Sequence, residues 1–240
     1  MGLKEFLEKI TERFDPIFDK VNVGYFGILV AITGVATISI ASFLYSMVES
    51  FTIFSHWISN LGGAWTNLYQ SPNGSNIVFS VGLIILCIIT IPFIVYLVKI
   101  FVSRDLNSLS LFFAIGSGLI TLIGLIGVAF FDLKTQPVIH TFSAAAFFGG
   151  GLLMVFFFSL AMLSDLEISK IHPLFGLIVV GTGLIFLITF LPHLLQGADL
   201  IGLIVSTETK MALSRFWEWI YVFALFAWIF DMGVYTLRLE

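Results

Sequence analysis

"IVFSVGLIILCIITIPFIVYLV", residues 77–98, carries no charged side chain over its 22 positions. At about 1.5 Å per residue a helix of that length reaches about 33 Å, enough to cross a hydrocarbon layer about 30 Å thick. Pro92 predicts a kink toward its end, because proline removes one helical hydrogen bond. Working outward, runs 24–47, 109–131, 138–163, 174–195 and 213–235 meet the same length and polarity test. The expected fold is an all-α integral membrane bundle of six transmembrane helices over residues 23–240. An N-terminal amphipathic helix over residues 1–22 precedes it.

Composition agrees. The 240 residues are 59% hydrophobic and only 11% charged, whereas soluble domains carry about a quarter charged residues. Too little polar surface exists to cover a globule in water. The net charge of −4, with no basic block, excludes nucleic acid as a partner. Membrane lipids are the expected surroundings. A lone thiol, Cys87, lies within an apolar run and permits no internal disulfide.

"MGLKEFLEKITERFDPIFDKVN" alternates charge from its start, which reads against a cleaved signal peptide. Gly2 is no myristoylation signal either, since Phe6 stands where that motif needs Ser or Thr. Leu3, Phe6, Leu7, Ile10 and Phe14 recur at helical spacing, with charged residues around the other face. Such a helix lies on the membrane surface or against the bundle, ending near Pro16.

Gly116, Gly118, Gly124 and Gly127 in the third span, and Ala145, Ala146, Gly149, Gly150 and Gly151 in the fourth, predict closely packed backbones. Spans three and four should form an antiparallel hairpin across "DLKTQP". Lys4, Lys9, Arg13, Lys20, Lys99, Arg104, Lys170 and Arg238 fall on one side, against Lys134, Lys210 and Arg215 on the other. This bias predicts a multi-pass protein of the cell membrane with both termini cytoplasmic. The loop 48–76 then faces outward, and it holds no Lys or Arg. The sequon at Asn73 would be exposed with it.

In that topology the polar residues gather toward the outer leaflet. His56, Ser59 and Asn60 lie in the loop, Asn76 at the start of span two, Asp132 at the end of span three and His140 at the start of span four. His193 ends span five, and Arg215 and Glu218 open span six. Polar groups at membrane depth usually face a bundle interior or a wet cavity, so these are the candidate ligand-binding residues. Each also has a plainer reading. Arg215 and Glu218 can pair along one helix, Asp132 can end a helix, His140 can be a satisfied helix-start residue, and His193 can be merely interfacial. His172 reads as a loop residue on the inner side, and Asp231 lies within reach of that interface. The stretch "FTIFSHWISNLGGAW" is apolar enough to dip into the bundle as a lid. Gly62 and Gly63 are expected to end a short helix there with backbone angles closed to other residues.

The marks Ile58-Ser59-x-Leu61-Gly62, then Asn76, Phe79 and Gly82, then Gly127, Phe131, Asp132, His140 and Arg215 resemble the membrane family named domain of unknown function 998. The resemblance runs over most of residues 24–237, and more distantly the pattern is similar to the damage-regulated autophagy modulator group. It implies six spans and a connection with lipid remodelling and membrane homeostasis. Two departures bear on chemistry: Asn60 stands where the family often has an acid, and "AFFDLK" lacks a proline common before the aspartate.

Three functions follow. One is binding of a lipid or small amphiphile in an outward-facing polar cavity, with Arg215 for an anionic head, Asn60, Asn76 and His140 as adaptable donors, and phenylalanines along the acyl part. A second is an intramembrane hydrolase with zinc held by His56, His140 and His193 or Asp132, leaving a position for water. It lacks any local metal motif. A third is a structural subunit that meets a membrane-protein partner or a second copy of itself through its glycine-rich faces. No inverted repeat, phosphate loop or nucleophile elbow is present.

Overall fold

The computed structural model describes residues 2–194 and 207–239. Helices account for every regular element there, and no strand forms among the described residues. Six are long and apolar enough to span a membrane: α3 (Gly24–Ser46), α4 (Ser75–Ser103), α5 (Ser108–Phe130), α6 (Pro137–Leu163), α7 (Ile171–Leu194) and α8 (Thr207–Leu237). Two short helices, α1 (Leu3–Glu12) and α2 (Asp15–Phe18), precede them, and a 3₁₀ turn covers Ile58–Gly62. The protein is a multi-pass membrane bundle. In lipid each helix satisfies its own backbone groups, so a chain of apolar helices is a stable solution.

The six long helices form a closed ring in chain order. Each packs on its neighbours, and α8 returns to α3. Alternating direction places the loop 48–76 at one end and both termini at the other. We call these the long-loop end and the termini end.

Small residues decide which backbones touch. A Cβ on Gly124 would meet the Ser143 carbonyl of α6 at 2.6 Å, and one on Gly150 would meet the Thr121 amide of α5 at 2.7 Å. The expected α5–α6 hairpin therefore rests on Gly124, Gly127 and Gly150, while Gly116 and Gly149 face open space. Gly24 and Gly233 give α3 and α8 the same close approach. Asp132 turns the hairpin by accepting the amides of Lys134 (2.7 Å) and Thr135 (3.2 Å). Helix α4 runs unbroken across Pro92.

At the termini end α1 docks against α4 and α5. Leu7 is fully buried, and Lys4–Asp105 (2.7 Å) and Lys99–Asp15 (2.6 Å) tie the N-terminal segment to the bundle. Of the two placements open in sequence, it takes the one against the bundle. His172 belongs to the first turn of α7 rather than to a loop, and its Nδ1 lies 2.8 Å from Asp231 Oδ2 of α8. Arg104 reaches Asp165 at 3.3 Å and Glu167 at 3.6 Å. Every one of these ends is held by an opposite partner.

Candidate ligand-binding site

The loop 48–76 folds back onto the bundle around one acid, Glu49. Its carboxylate accepts the Leu68 amide (2.8 Å) and meets His56 Nε2 at 3.3 Å. Burial pushes this carboxyl up, but the Leu68 amide, the Thr66 hydroxyl and His56 outweigh that and hold it below the usual glutamate range. Tyr45 of α3 accepts the Asn67 amide at 3.0 Å, and Lys134 bonds the Thr66 carbonyl. The loop is thus tied down from three sides.

Its 3₁₀ turn, Ile58–Gly62, enters the mouth of the ring with Ile58 and Leu61 buried. Asn60 caps the turn by accepting the Trp57 amide at 2.7 Å, and Ser75 donates to the Leu61 carbonyl at 2.8 Å. Gly63 ends the turn at φ −68°, an angle any residue adopts. The expectation of special backbone angles at Gly62 and Gly63 is therefore corrected. Glycine is needed at Gly62 because a Cβ there would sit 2.7 Å from the Phe79 ring. Left-handed backbone occurs instead at Tyr69, Asn73 and Gly74, with φ of 58°, 51° and 81°.

Under the turn lies a cavity of about 210 Å³. Its polar wall is Ser59 from the turn, His140 and Thr141 from α6, and Glu218 from α8. Glu218 is 3% exposed, and its Oε2 accepts the Ile58 amide at 2.9 Å. The next residue, Trp219, donates to the His56 carbonyl at 3.2 Å, so α8 grips both ends of the entering segment. His140 Nδ1 lies 2.7 Å from the Phe131 carbonyl. A carbonyl only accepts, so Nδ1 carries the proton and Nε2 of the neutral ring is an acceptor.

A second cavity, about 80 Å³, fills the centre of the ring and shares Ser59, Ala144, Phe148 and Glu218 with the first. The remaining walls are almost wholly apolar. The hydroxyls of Thr90 and Thr121, which also line it, are spent on their own helices, on the carbonyls of Leu86 (2.6 Å) and Ser117 (2.9 Å). The first chamber sets four polar side chains among aromatic and aliphatic ones, the second is almost wholly apolar, and they meet at Glu218.

The other sequence candidates lie elsewhere. His56 is buried against Tyr45 and Phe51, its ring bonded to Ser55 and Glu49, and belongs to the loop scaffold. Asn60 is a cap. Asn76 and Asp132 line a separate groove of about 360 Å³ between the loop, α4 and α5. Burial pushes the Asp132 carboxyl up, yet Thr135 and the Lys134 amide hold it below the usual aspartate range. Arg215 forms no ion pair with Glu218 within 4 Å. Its guanidinium turns to the Phe54 carbonyl (3.3 Å) and the Trp57 ring (5.6 Å). The His193 side chain lies outside the described residues. Of the nine candidates, Ser59, His140 and Glu218 share the cavity wall.

Glu49 is not among the sequence candidates, although it is the sole charged residue of the loop 48–76, which is itself a signal. Nor are Phe148, Phe186 and Phe190, which line the cavity. Nothing local distinguishes these from the other phenylalanines. Among the described residues no group of three or more His, Cys, Asp or Glu is placed to hold a metal ion. Comparison of the chain with protein-family models, curated proteins and solved structures found no match.

Proposed function

We propose that the protein binds a small amphiphile at its long-loop end, with the polar head against Ser59, His140, Thr141 and Glu218 and the apolar part toward the ring centre. The observation that carries this reading is the pair of adjoining cavities, one with a cluster of polar side chains on its wall and one almost wholly apolar, that share Ser59 and Glu218. Size supports a small ligand, since drug-sized molecules occupy about 300–1,000 Å³ and the polar chamber offers about 210 Å³. Arg215 is not on that wall, so the expected anionic head loses its partner.

In the same reading the long-loop end faces out of the cell and both termini lie in the cytoplasm, as the Lys and Arg distribution favours. We also propose membership of the domain of unknown function 998 family, on the motifs around Ser59, Asn76, Asp132, His140 and Arg215. A zinc-dependent hydrolase draws no support from the described residues, because the cavity wall holds only His140 and Glu218 as metal-ligating types.

Ala144 lines both chambers, so Ala144→Phe fills their junction. Protein in lipid nanodiscs should bind single-chain amphiphiles with eight-carbon (~C8) tails saturably by titration calorimetry, and Ala144→Phe should abolish that binding while still folding. Equal binding by the variant, or none by the wild type, removes the proposed function.

A further inference from the structure

The polar chamber combines three features. Among the described residues its wall contains no Lys or Arg. Its one acid, Glu218, is buried with a single backbone donor and no ion pair among the described residues. Four aromatic side chains, Trp57, Phe148, Phe186 and Phe190, line the same space. These rings adjoin one another: Trp57 and Phe190 lie 5.6 Å apart, Phe186 and Phe190 5.4 Å, and Phe148 and Phe186 4.7 Å.

An aromatic face carries partial negative charge, and a cation held against several such faces is attracted to all of them. A deeply buried carboxyl is costly to ionise, and an arriving cation offsets that cost. His140 Nε2 and the Ser59 hydroxyl add acceptors and no fixed positive charge. Metal cations such as calcium or magnesium demand about six or more oxygen ligands, which a wall of rings does not supply. An organic ammonium asks for what is present: one carboxyl, aromatic side chains and room.

Resting on the amphiphile reading above, we infer that the chamber selects a ligand whose head is an organic ammonium group. The apolar chamber beyond Glu218 then receives its alkyl chain. Arg215, one helical turn from Glu218, is held outside the wall by the Phe54 carbonyl and the Trp57 ring; it attracts Glu218 from beyond ion-pair distance and leaves the chamber side of the carboxyl to a ligand.

The test is calorimetric titration of the full-length protein in nanodiscs with four probes: octyltrimethylammonium, 1-octanol, octanoate and tetramethylammonium. Octyltrimethylammonium should bind at least about tenfold more tightly than octanol, which is about 1.4 kcal/mol, and octanoate more weakly than either. Glu218→Gln, which keeps an acceptor for the Ile58 amide, should erase the preference and leave octanol binding intact. Trp57→Leu should reduce the preference with Glu218 in place. Equal affinity for octyltrimethylammonium and octanol, or preference for octanoate, overturns the ammonium inference and leaves the amphiphile reading standing. Tetramethylammonium binding as tightly as its octyl relative supports the ammonium site but overturns the amphiphile reading. No binding by any probe removes both.

Discussion

The two ends of the ring differ in how their most deeply placed acid is held, although the long-loop end has a paired acid of its own in Glu49, against His56. At the termini end His172 faces Asp231 at 2.8 Å, Arg104 faces Asp165 at 3.3 Å, and Lys99 faces Asp15 at 2.6 Å. At the long-loop end Glu218 sits deeper than any of these, held by one amide and beside a cavity. Paired charges join helices and close the space between them. A buried acid with a single donor beside an open chamber is poor for stability, and such sites are retained where something binds. On the proposed reading, the contrast separates a structural end from a ligand-binding one.

The sharpest way to break this contrast is to remove one partner at the closed end. Asp231→Ala leaves His172 unpaired against Tyr235 and should cost about 1–3 kcal/mol in equilibrium unfolding. The double variant with His172→Ala should be less damaging than the sum of the singles. Octyltrimethylammonium affinity should not change. A change in affinity would show that the two ends are coupled rather than separate.

At the open end the signs should reverse. Glu218→Gln retains the hydrogen bond and removes the buried ionisable group, so thermal stability should stay level or rise, by up to about 1 kcal/mol, while ammonium preference is lost. A large fall in stability would recast Glu218 as a structural residue.

The lid over that end gives a smaller, pH-dependent effect. The Glu49 carboxyl is held below its ordinary range in the folded state, so its contribution is complete above that range and is lost as pH falls through the folded value. Trp57 and Trp65 fluorescence should report loosening of the loop as pH falls from neutrality to below the ordinary glutamate range. In Glu49→Gln the loop should already be loosened at the upper pH, with a flatter response. An identical pH profile in the variant would take the lid's anchor away from Glu49.

The smallest effect belongs to the exposed Lys4–Asp105 pair. Lys4→Ala should leave the unfolding midpoint unchanged, because solvent screens such a pair and Leu7 still anchors α1. A measurable drop would make the N-terminal helix part of the closed end's charge network.

The path from residues to site was uneven. Ser59, His140 and Glu218 were legible because a polar group at membrane depth stands out against its apolar neighbours. His172–Asp231 was legible only as two separate oddities, since the pair joins positions 59 residues apart. His56 looked like a ligand from its place in the chain, yet Glu49, seven positions earlier, had already claimed its ring.

Local chemistry in the chain was sufficient for the number of helices, their alternation and the gathering of loops at two ends. An apolar run of bilayer length must satisfy its own backbone bonds, and that needs no knowledge of neighbours. Which side chains meet was settled by packing. A transmembrane helix is apolar on the face that touches lipid and on the face that touches protein, so its sequence carries no stripe to say which side turns inward. Rotation about each axis was set instead by contacts such as Gly124 on Ser143 and Gly233 on Gly24. Those contacts put Glu218 beneath Ile58 and leave Arg215 outside the wall.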